Sequence, residues 1–126
     1  MTDPVKPGER RPDHDRAATR LAVYGTLAPG EVNHAVVADL RGVWTRGVVH
    51  GWLHPTGWGM THGFPALQWD PDGPPVAVQV LTSADLPAAW PRLDQFEGEA
   101  YRRVVVPVTS GDEILLANIY VARAVT

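Results

Sequence analysis

Short segments of alternating apolar residues dominate the second half of this chain of 126 residues. From Val76 to Leu81 every second residue is valine, and the β-branched segments 101–108 and 114–121 are separated by a turn sequence that contains Gly111 and Asp112. A period of two is typical of strands that bury one face, and Gly-Asp between two such segments indicates a hairpin. A strand at 76–81 and a hairpin over 101–121 are therefore predicted.

The remaining segments do not alternate regularly between strand and helix. A strand at 21–24, a bent or bulged strand pair within 42–53 and an edge strand at 64–69 are predicted from β-branched and aromatic residues between turn sequences. Helical spacing indicates a short helix at 34–40 with Asn33 as its N-cap, and a second, late-starting helix within 85–96 because Pro91 must lie in its first turn or kink it. The prediction is an α+β fold: a small mixed closed β-barrel with two short helices.

The length of the chain suits a single domain. Residues 1–19 are polar, rich in Pro, Asp and Arg, and contain no apolar stretch, so they predict a flexible N-terminal tail rather than a signal peptide. The folded domain is predicted over residues 20–126.

Composition excludes several function classes. The chain has no cysteine, which excludes disulfides and thiol nucleophiles and suits a reducing compartment, so a cytoplasmic location is expected. The net charge is -3 and the arginines are scattered, so neither nucleic acid nor a membrane is an expected partner.

The sequence contains no recognisable motif for a nucleophile or a metal site. The two serines, Ser83 and Ser110, lie where local backbone hydrogen bonding favours serine, and the serine-hydrolase, P-loop and dinucleotide-binding glycine motifs are absent. His50 and His54 flank Gly51 and precede Pro55, which argues against a helix; on a strand their spacing is roughly 13 Å, too far for one zinc ion. No metal site is predicted.

Glu97 is the first residue that offers chemistry. It follows an apolar residue at the predicted end of a helix and precedes a glycine, a position that the fold can keep dry. A carboxylate against apolar walls has a raised pKa and can both take and return a proton. The alternative is a solvated surface glutamate, which is the commoner role of an acidic residue at a helix end.

Residues 24–27, with the sequence YGTL, are the second place in the chain that offers chemistry. A strand there runs into a glycine turn ahead of a helix, and main-chain N–H groups freed by such a turn can form a concave donor site for a carboxylate or an oxyanion. An ordinary strand end is the alternative. Trp58 and Trp69, beside loops, are predicted to line a pocket, whereas Trp44, Trp52 and Trp90 are predicted to lie in the core.

Three ordered blocks of the sequence stand out together. They are YGTL at 24–27 with Gly30 and Asn33-His34, FPAL at 64–67, and LDQFEG at 93–98 followed by Tyr101 and Arg103, with a last strand at 117–121. These blocks resemble the γ-glutamylcyclotransferase-like superfamily, with its γ-glutamylamine cyclotransferase and AIG2-like branches, and the resemblance covers most of residues 21–121. One departure is the strand at 76–81, where the family often has a Gly-Glu pair that this chain lacks.

The resemblance implies a barrel enzyme without cofactor or metal. Its YGTL loop would hold the γ-glutamyl group of a small γ-glutamyl amine or peptide, and Glu97 would be the general base and acid that closes the group to 5-oxoproline. A monomer or a homodimer is expected. The substrate-binding positions are Tyr24, Gly25, Thr26, Leu27 and Tyr101.

Two other functions stay open at this stage. One is a non-catalytic module that binds a small amine or carboxylate in the same barrel. The other is a biosynthetic enzyme that uses the same carboxylate to remove a γ-glutamyl protecting group. A pure binder has little reason to bury an acid, which favours catalysis.

Overall fold

The computed structural model describes residues 16–25, 27–31, 33–61 and 63–123 of the chain. The elements that lie wholly within these ranges are six β-strands, one α-helix and one turn of 3-10 helix. The elements in chain order are β1 (Arg20–Val23), the 3-10 turn (His34–Val36), β2 (Val43–His54), β3 (Ala66–Trp69), β4 (Pro75–Thr82), α1 (Leu86–Glu97), β5 (Tyr101–Ser110) and β6 (Glu113–Ala122).

Five of the strands close into a barrel. The order in the sheet is β3-β2-β4-β1-β6-β5, and β5 pairs back onto β2 through Val48 and Thr109. β1 and β6 are parallel and the other pairs are antiparallel, while β3 extends the sheet beside β2. The predicted α+β class with a small mixed closed barrel is confirmed, and the elements within the described ranges include one α-helix rather than two.

The alternating residues fill the barrel. In β4, Val76, Val78 and Val80 are buried, and Ala77 between them is exposed, as a period of two requires. β-Branched side chains suit this narrow interior because they are stiff and pack well on a pleated surface. The interior cluster consists of Ala22, Val49, Leu67, Val76, Val78, Val80, Val106, Val108, Ala117, Ile119 and Val121.

A second apolar layer lies between α1 and the outside of the barrel. Leu86, Ala89, Trp90 and Leu93 are the buried residues of the helix, and they form one cluster with side chains of β1 and β4 that include Leu21 and Leu81. Their spacing of three and four residues places them on one face of the helix. Burial of this face fixes α1 across the sheet.

The predicted late start of this helix is wrong. α1 begins at Leu86 and contains Pro91 in its second turn. Proline removes one helical donor, but the residues on either side of it, Trp90 and Leu93, are buried against the barrel, and that packing outweighs the lost hydrogen bond. The helix ends at Glu97 and is capped by Gly98, whose φ of 75° is favoured by glycine and whose amide donates to the carbonyl oxygen of Asp94.

The predicted helix at 34–40 is only one 3-10 turn. Val36, Val37 and Leu40 each donate their amide to the carbonyl three residues earlier, which is the 3-10 spacing, and Asn33 makes no side-chain cap. Consecutive β-branched residues at 36 and 37 disfavour a longer α-helix. Val37 is buried, so the segment is still attached to the core.

Residues 16–19, which the sequence assigns to the tail, are bound to the barrel. The carbonyl oxygen of Ala17 accepts from Asn118 Nδ2 at 2.7 Å, and that of Ala18 accepts from Trp90 Nε1 at 3.0 Å. Thr19 accepts from the amide of Ser83 at 2.8 Å. The rest of the predicted tail, residues 1–15, lies outside the described residues.

Of the three tryptophans predicted to lie in the core, two are at least partly buried and one is exposed. Trp90 is buried and Trp44 packs partly buried against the outer layer, but Trp52 is 49% exposed. Trp52 lies in the part of β2 that pairs with β3, opposite Gln68, and its indole donates to Asp70.

No helix in the described part of the chain is long and apolar enough to cross a membrane.

Candidate active site

A cavity of about 440 Å³ opens between the end of β1 and the end of α1. The end of β1 and the end of α1 form opposite walls of this cavity. They are distant in sequence, and the packing of α1 on the barrel brings them together. Its walls are mainly apolar or aromatic. The lining residues are Ala22, Val23, Tyr24, Gly25, Leu27, Asn33, Phe64, Pro65, Phe96, Glu97, Tyr101 and Tyr120.

Glu97, the last residue of α1, provides the acid of this cavity. Its side chain is partly buried, and this burial raises the pKa of the carboxyl from 4.5 to about 7 by disfavouring the charged form. Within the described part of the chain, the carboxylate has no hydrogen-bond or ion-pair partner. A carboxyl group in this state can both accept and donate a proton near neutral pH.

The loop after β1 forms the opposite side. Tyr24, Gly25 and Leu27 line the cavity, and the carbonyl oxygen of Gly25 accepts from the amide of Ala28 at 3.2 Å, which closes a tight turn. The carbonyl oxygen of Leu27 also contacts His34 Nδ1 at 2.9 Å, so the loop is tied to the 3-10 turn. Thr26 lies outside the described residues.

Two predicted tyrosines line the cavity with their hydroxyls already bonded. Tyr24 donates to the carbonyl oxygen of Tyr120 at 2.6 Å and accepts from the amide of Leu67 at 3.2 Å. Tyr101 donates to the carbonyl oxygen of Pro65 at 2.7 Å. Burial raises the pKa of Tyr24, and burial followed by the nearby charge of Glu97 raises the pKa of Tyr101 to about 12. Both phenols are therefore neutral donors that shape the wall.

The second carboxyl near the site, Asp94, is held in an ion pair with Arg103. Arg103 bonds both of its oxygens, with Nε–Oδ1 at 2.8 Å and Nη2–Oδ2 at 3.2 Å, and the hydroxyl of Tyr120 donates to Oδ1 at 2.6 Å. These hydrogen bonds from Arg103 hold the pKa of Asp94 below its ordinary value. Asp94 thus stays ionised and fixes the end of α1 to β5 and β6, which leaves Glu97 as the carboxyl that can change protonation.

The structure brings most of the predicted site residues together. Tyr24, Gly25, Leu27, Glu97 and Tyr101 all line the same cavity. Trp58 and Trp69 were predicted pocket residues, and this prediction is wrong: neither lines the cavity. Trp58 instead stacks on His54 with ring centroids 5.5 Å apart, and Trp69 lies in β3 opposite Gly51.

Seven lining residues were not predicted as site residues: Ala22, Val23, Asn33, Phe64, Pro65, Phe96 and Tyr120. Asn33, Phe64 and Phe96 belong to the sequence blocks that carry the family resemblance, so membership of those blocks was the available signal. Tyr120 gave no local signal, because its place in the wall follows from the pairing of β6 with β1.

Potential metal ligands are dispersed. Across the four described ranges, no three His, Cys, Asp or Glu side chains cluster as metal ligands would. His50 and His54 lie on β2, as predicted, where His50 contacts the carbonyl oxygen of Gly73 and His54 contacts Gln68.

Solved structures share this fold. The mouse AIG2-like protein aligns with a TM-score of 0.66 and 23% identity over 86% of this chain and 79% of its own. YkqA from Bacillus subtilis aligns with a TM-score of 0.65 and 25% identity over 85% of this chain, which spans 36% of that protein. A protein from Arabidopsis thaliana aligns at 0.58 with 28% identity, over 82% of this chain and 61% of that one.

Comparison of sequences gives the family. No curated protein sequence matches the chain significantly. The profile of one family, described as gamma-glutamyl cyclotransferase, AIG2-like, matches residues 21–126. This match covers α1, the cavity and all of the barrel except Arg20 at the start of β1, so the chain belongs to the AIG2-like γ-glutamyl cyclotransferase family.

Proposed function

We propose that this protein is an enzyme that cyclises the γ-glutamyl group of a small γ-glutamyl amine or peptide to 5-oxoproline and releases the amine. One observation carries the proposal: a partly buried carboxyl without an ion-pair partner in the described chain, with a pKa of about 7, shares a cavity with Tyr24, Gly25 and Leu27 of the loop after β1. Membership of the γ-glutamyl cyclotransferase family supports the same reaction.

Glu97 acts as base and then as acid. Its carboxylate takes a proton from the α-ammonium group of the substrate, and the free amine attacks the γ-carbonyl carbon of the same molecule, forming the new C–N bond of a five-membered ring. As the old C–N bond breaks, Glu97 returns its proton to the departing nitrogen, and the second proton of the attacking nitrogen also ends on the released amine. The carboxylate is regenerated and no covalent intermediate with the protein forms.

The loop at 24–27 holds the reacting group. Its main-chain N–H groups are the donors proposed to bind the glutamyl α-carboxylate and the oxyanion that develops on the γ-carbonyl oxygen. Tyr24, Tyr101 and Leu27 enclose the chain of the glutamyl group, because all three line the cavity. Holding this chain folded accounts for much of the rate, since well-oriented intramolecular attacks reach effective molarities on the order of 10⁵ M or more.

The test is the formation of 5-oxoproline from a panel of γ-glutamyl amines and dipeptides, measured by mass spectrometry. Wild type should form it, and Glu97→Gln should reduce kcat by about 10²- to 10⁴-fold, the usual contribution of a general acid–base group. Glu99→Gln is the matched control because it removes the same charge at an exposed position two residues away.

Two results would contradict the proposal in different ways. If Glu97→Gln keeps the wild-type rate, the acid–base role of Glu97 is wrong. If wild type converts no conjugate but is stabilised by them in thermal unfolding, the protein is a binding module.

A further inference from the structure

Two exposed phenylalanines flank the mouth of the cavity. Phe64 is 60% exposed and Phe96 is 45% exposed, and both line the cavity that contains Glu97. Phe96 directly precedes Glu97 at the end of α1, and Phe64 lies in the segment before β3. A large apolar surface left open beside a binding cavity marks a place where apolar ligand surface can be buried.

The charge at this mouth disfavours a second carboxylate on the substrate. Among the described residues that line the cavity, Glu97 is the sole charged side chain. The guanidinium of Arg103 is occupied by Asp94 and Asn118. A carboxylate carried by the leaving group would therefore lie close to the charge of Glu97, and none of the described lining residues offers a cation to offset it.

The reaction places the leaving group at the same mouth. Glu97 must reach the departing nitrogen to return its proton, so that nitrogen lies within hydrogen-bond distance of the carboxyl. The glutamyl part occupies the loop side at 24–27, and the substituent on the nitrogen then extends away from that loop. Phe96 and Phe64 are the large side chains that border Glu97 and remain open to solvent.

We propose that Phe64 and Phe96 form a subsite for the leaving group and select amines with an apolar or aromatic substituent and no carboxylate. The inference rests on the proposed cyclisation and names the class of its substrate. The enzyme thereby prefers γ-glutamyl conjugates of hydrophobic monoamines over γ-glutamyl amino acids.

A neighbouring groove offers the competing arrangement. It has a volume of about 630 Å³, shares Val23, Tyr24, Gly25 and Pro65 with the cavity, and contains Arg46, Gln79 and Glu31. Arg46 and Gln79 are paired across β2 and β4, so the cation lies beside the amide. If the leaving group lay here, Arg46 would favour a carboxylate; Glu97, however, does not line this groove, so it could not serve the departing nitrogen there.

Three substrates separate the two arrangements. γ-Glutamyl-phenethylamine and γ-glutamyl-phenylalanine differ by one carboxylate, and γ-glutamyl-methylamine lacks the aromatic substituent. We expect kcat/KM for the phenethylamine conjugate to exceed that for each of the other two by about tenfold or more, the usual discrimination of a hydrophobic subsite. Phe64→Ala and Phe96→Leu should each lower the phenethylamine-to-methylamine ratio, while Ile114→Ala, at a 65% exposed position away from the cavity, should leave it unchanged.

The outcomes are distinct. Equal turnover of all three conjugates, or a ratio insensitive to Phe64→Ala and Phe96→Leu, overturns the aromatic subsite while the cyclisation stands. Preference for the phenylalanine conjugate that disappears in Arg46→Gln places the leaving group in the neighbouring groove and also overturns it. Absence of 5-oxoproline from every conjugate contradicts the cyclisation itself.

Discussion

The hydroxyl of Tyr24 donates a 2.6 Å hydrogen bond to the carbonyl oxygen of Tyr120 and so joins the loop after β1 to β6. The same hydroxyl accepts from the amide of Leu67, whose side chain is fully buried in the barrel. One phenol thus links three segments around the cavity. Its main role is to hold the wall, and its ring is the surface that it presents to a ligand.

We predict that Tyr24→Phe lowers the free energy of unfolding by about 1–3 kcal/mol, because it leaves the Leu67 amide and the Tyr120 carbonyl without their partner. Urea unfolding followed by tryptophan fluorescence measures the change. Tyr101→Phe is the matched comparison, since its hydroxyl bonds the carbonyl oxygen of Pro65 and the side chain of Thr61 rather than a main-chain amide of the barrel. A smaller loss in Tyr24→Phe than in Tyr101→Phe would contradict this role.

The raised pKa of Glu97 predicts the pH dependence of activity. The base form of Glu97 is needed, so kcat/KM should follow its ionisation and fall about tenfold for each pH unit below about 7. Initial rates with γ-glutamyl-methylamine between pH 5 and pH 8 measure this, with circular dichroism to confirm folding at each pH. A rate that stays constant down to pH 5.5 would show that Glu97 titrates as an ordinary surface glutamate or is not the base.

The same carboxyl predicts a pH-dependent stability. Its pKa is about 7 in the folded protein against an ordinary 4.5, so between these values the folded state binds more protons than the unfolded state. The contribution of Glu97 to the free energy of unfolding is therefore fully present below pH 4.5 and is lost as the pH rises to 7. Relative to wild type, Glu97→Gln should gain as much as about 3 kcal/mol between pH 4 and pH 8. Denaturant unfolding measures the gain, Glu99→Gln corrects for the loss of one negative charge, and a difference that does not change with pH would contradict the burial of Glu97.

Local patterns predicted the strands well. The alternation at 76–81 and the Gly111-Asp112 turn are properties of adjacent residues, and they specify β4 and the β5–β6 hairpin. Pro91 misled the prediction of α1 because proline has a strong local preference, whereas Trp90 and Leu93 are held by a barrel surface that no local pattern describes. The helix predicted at 34–40 failed for a similar reason, since its capping residue and apolar spacing were compatible with a 3-10 turn as well.

The site was predictable where chemistry is carried by short motifs. The YGTL and FEG sequences lead to Tyr24, Gly25, Leu27 and Glu97, which the fold does bring to one cavity. The pocket role of Trp58 and Trp69 failed, because proximity to a loop does not determine which end of a barrel a side chain reaches. Tyr120 could not be found at all, since its position depends on parallel pairing between the first and last strands.

That parallel pairing has a consequence for the order of assembly. Leu21 and Ala22 meet Asn118 and Ile119 across almost the whole folded length, and such distant contacts form late in folding. During synthesis, a nascent polypeptide halted ahead of β6 already carries the YGTL sequence and the acid of α1 but lacks the side wall that Tyr120 provides. The cavity is therefore complete only after the last strand has left the ribosome and paired with β1.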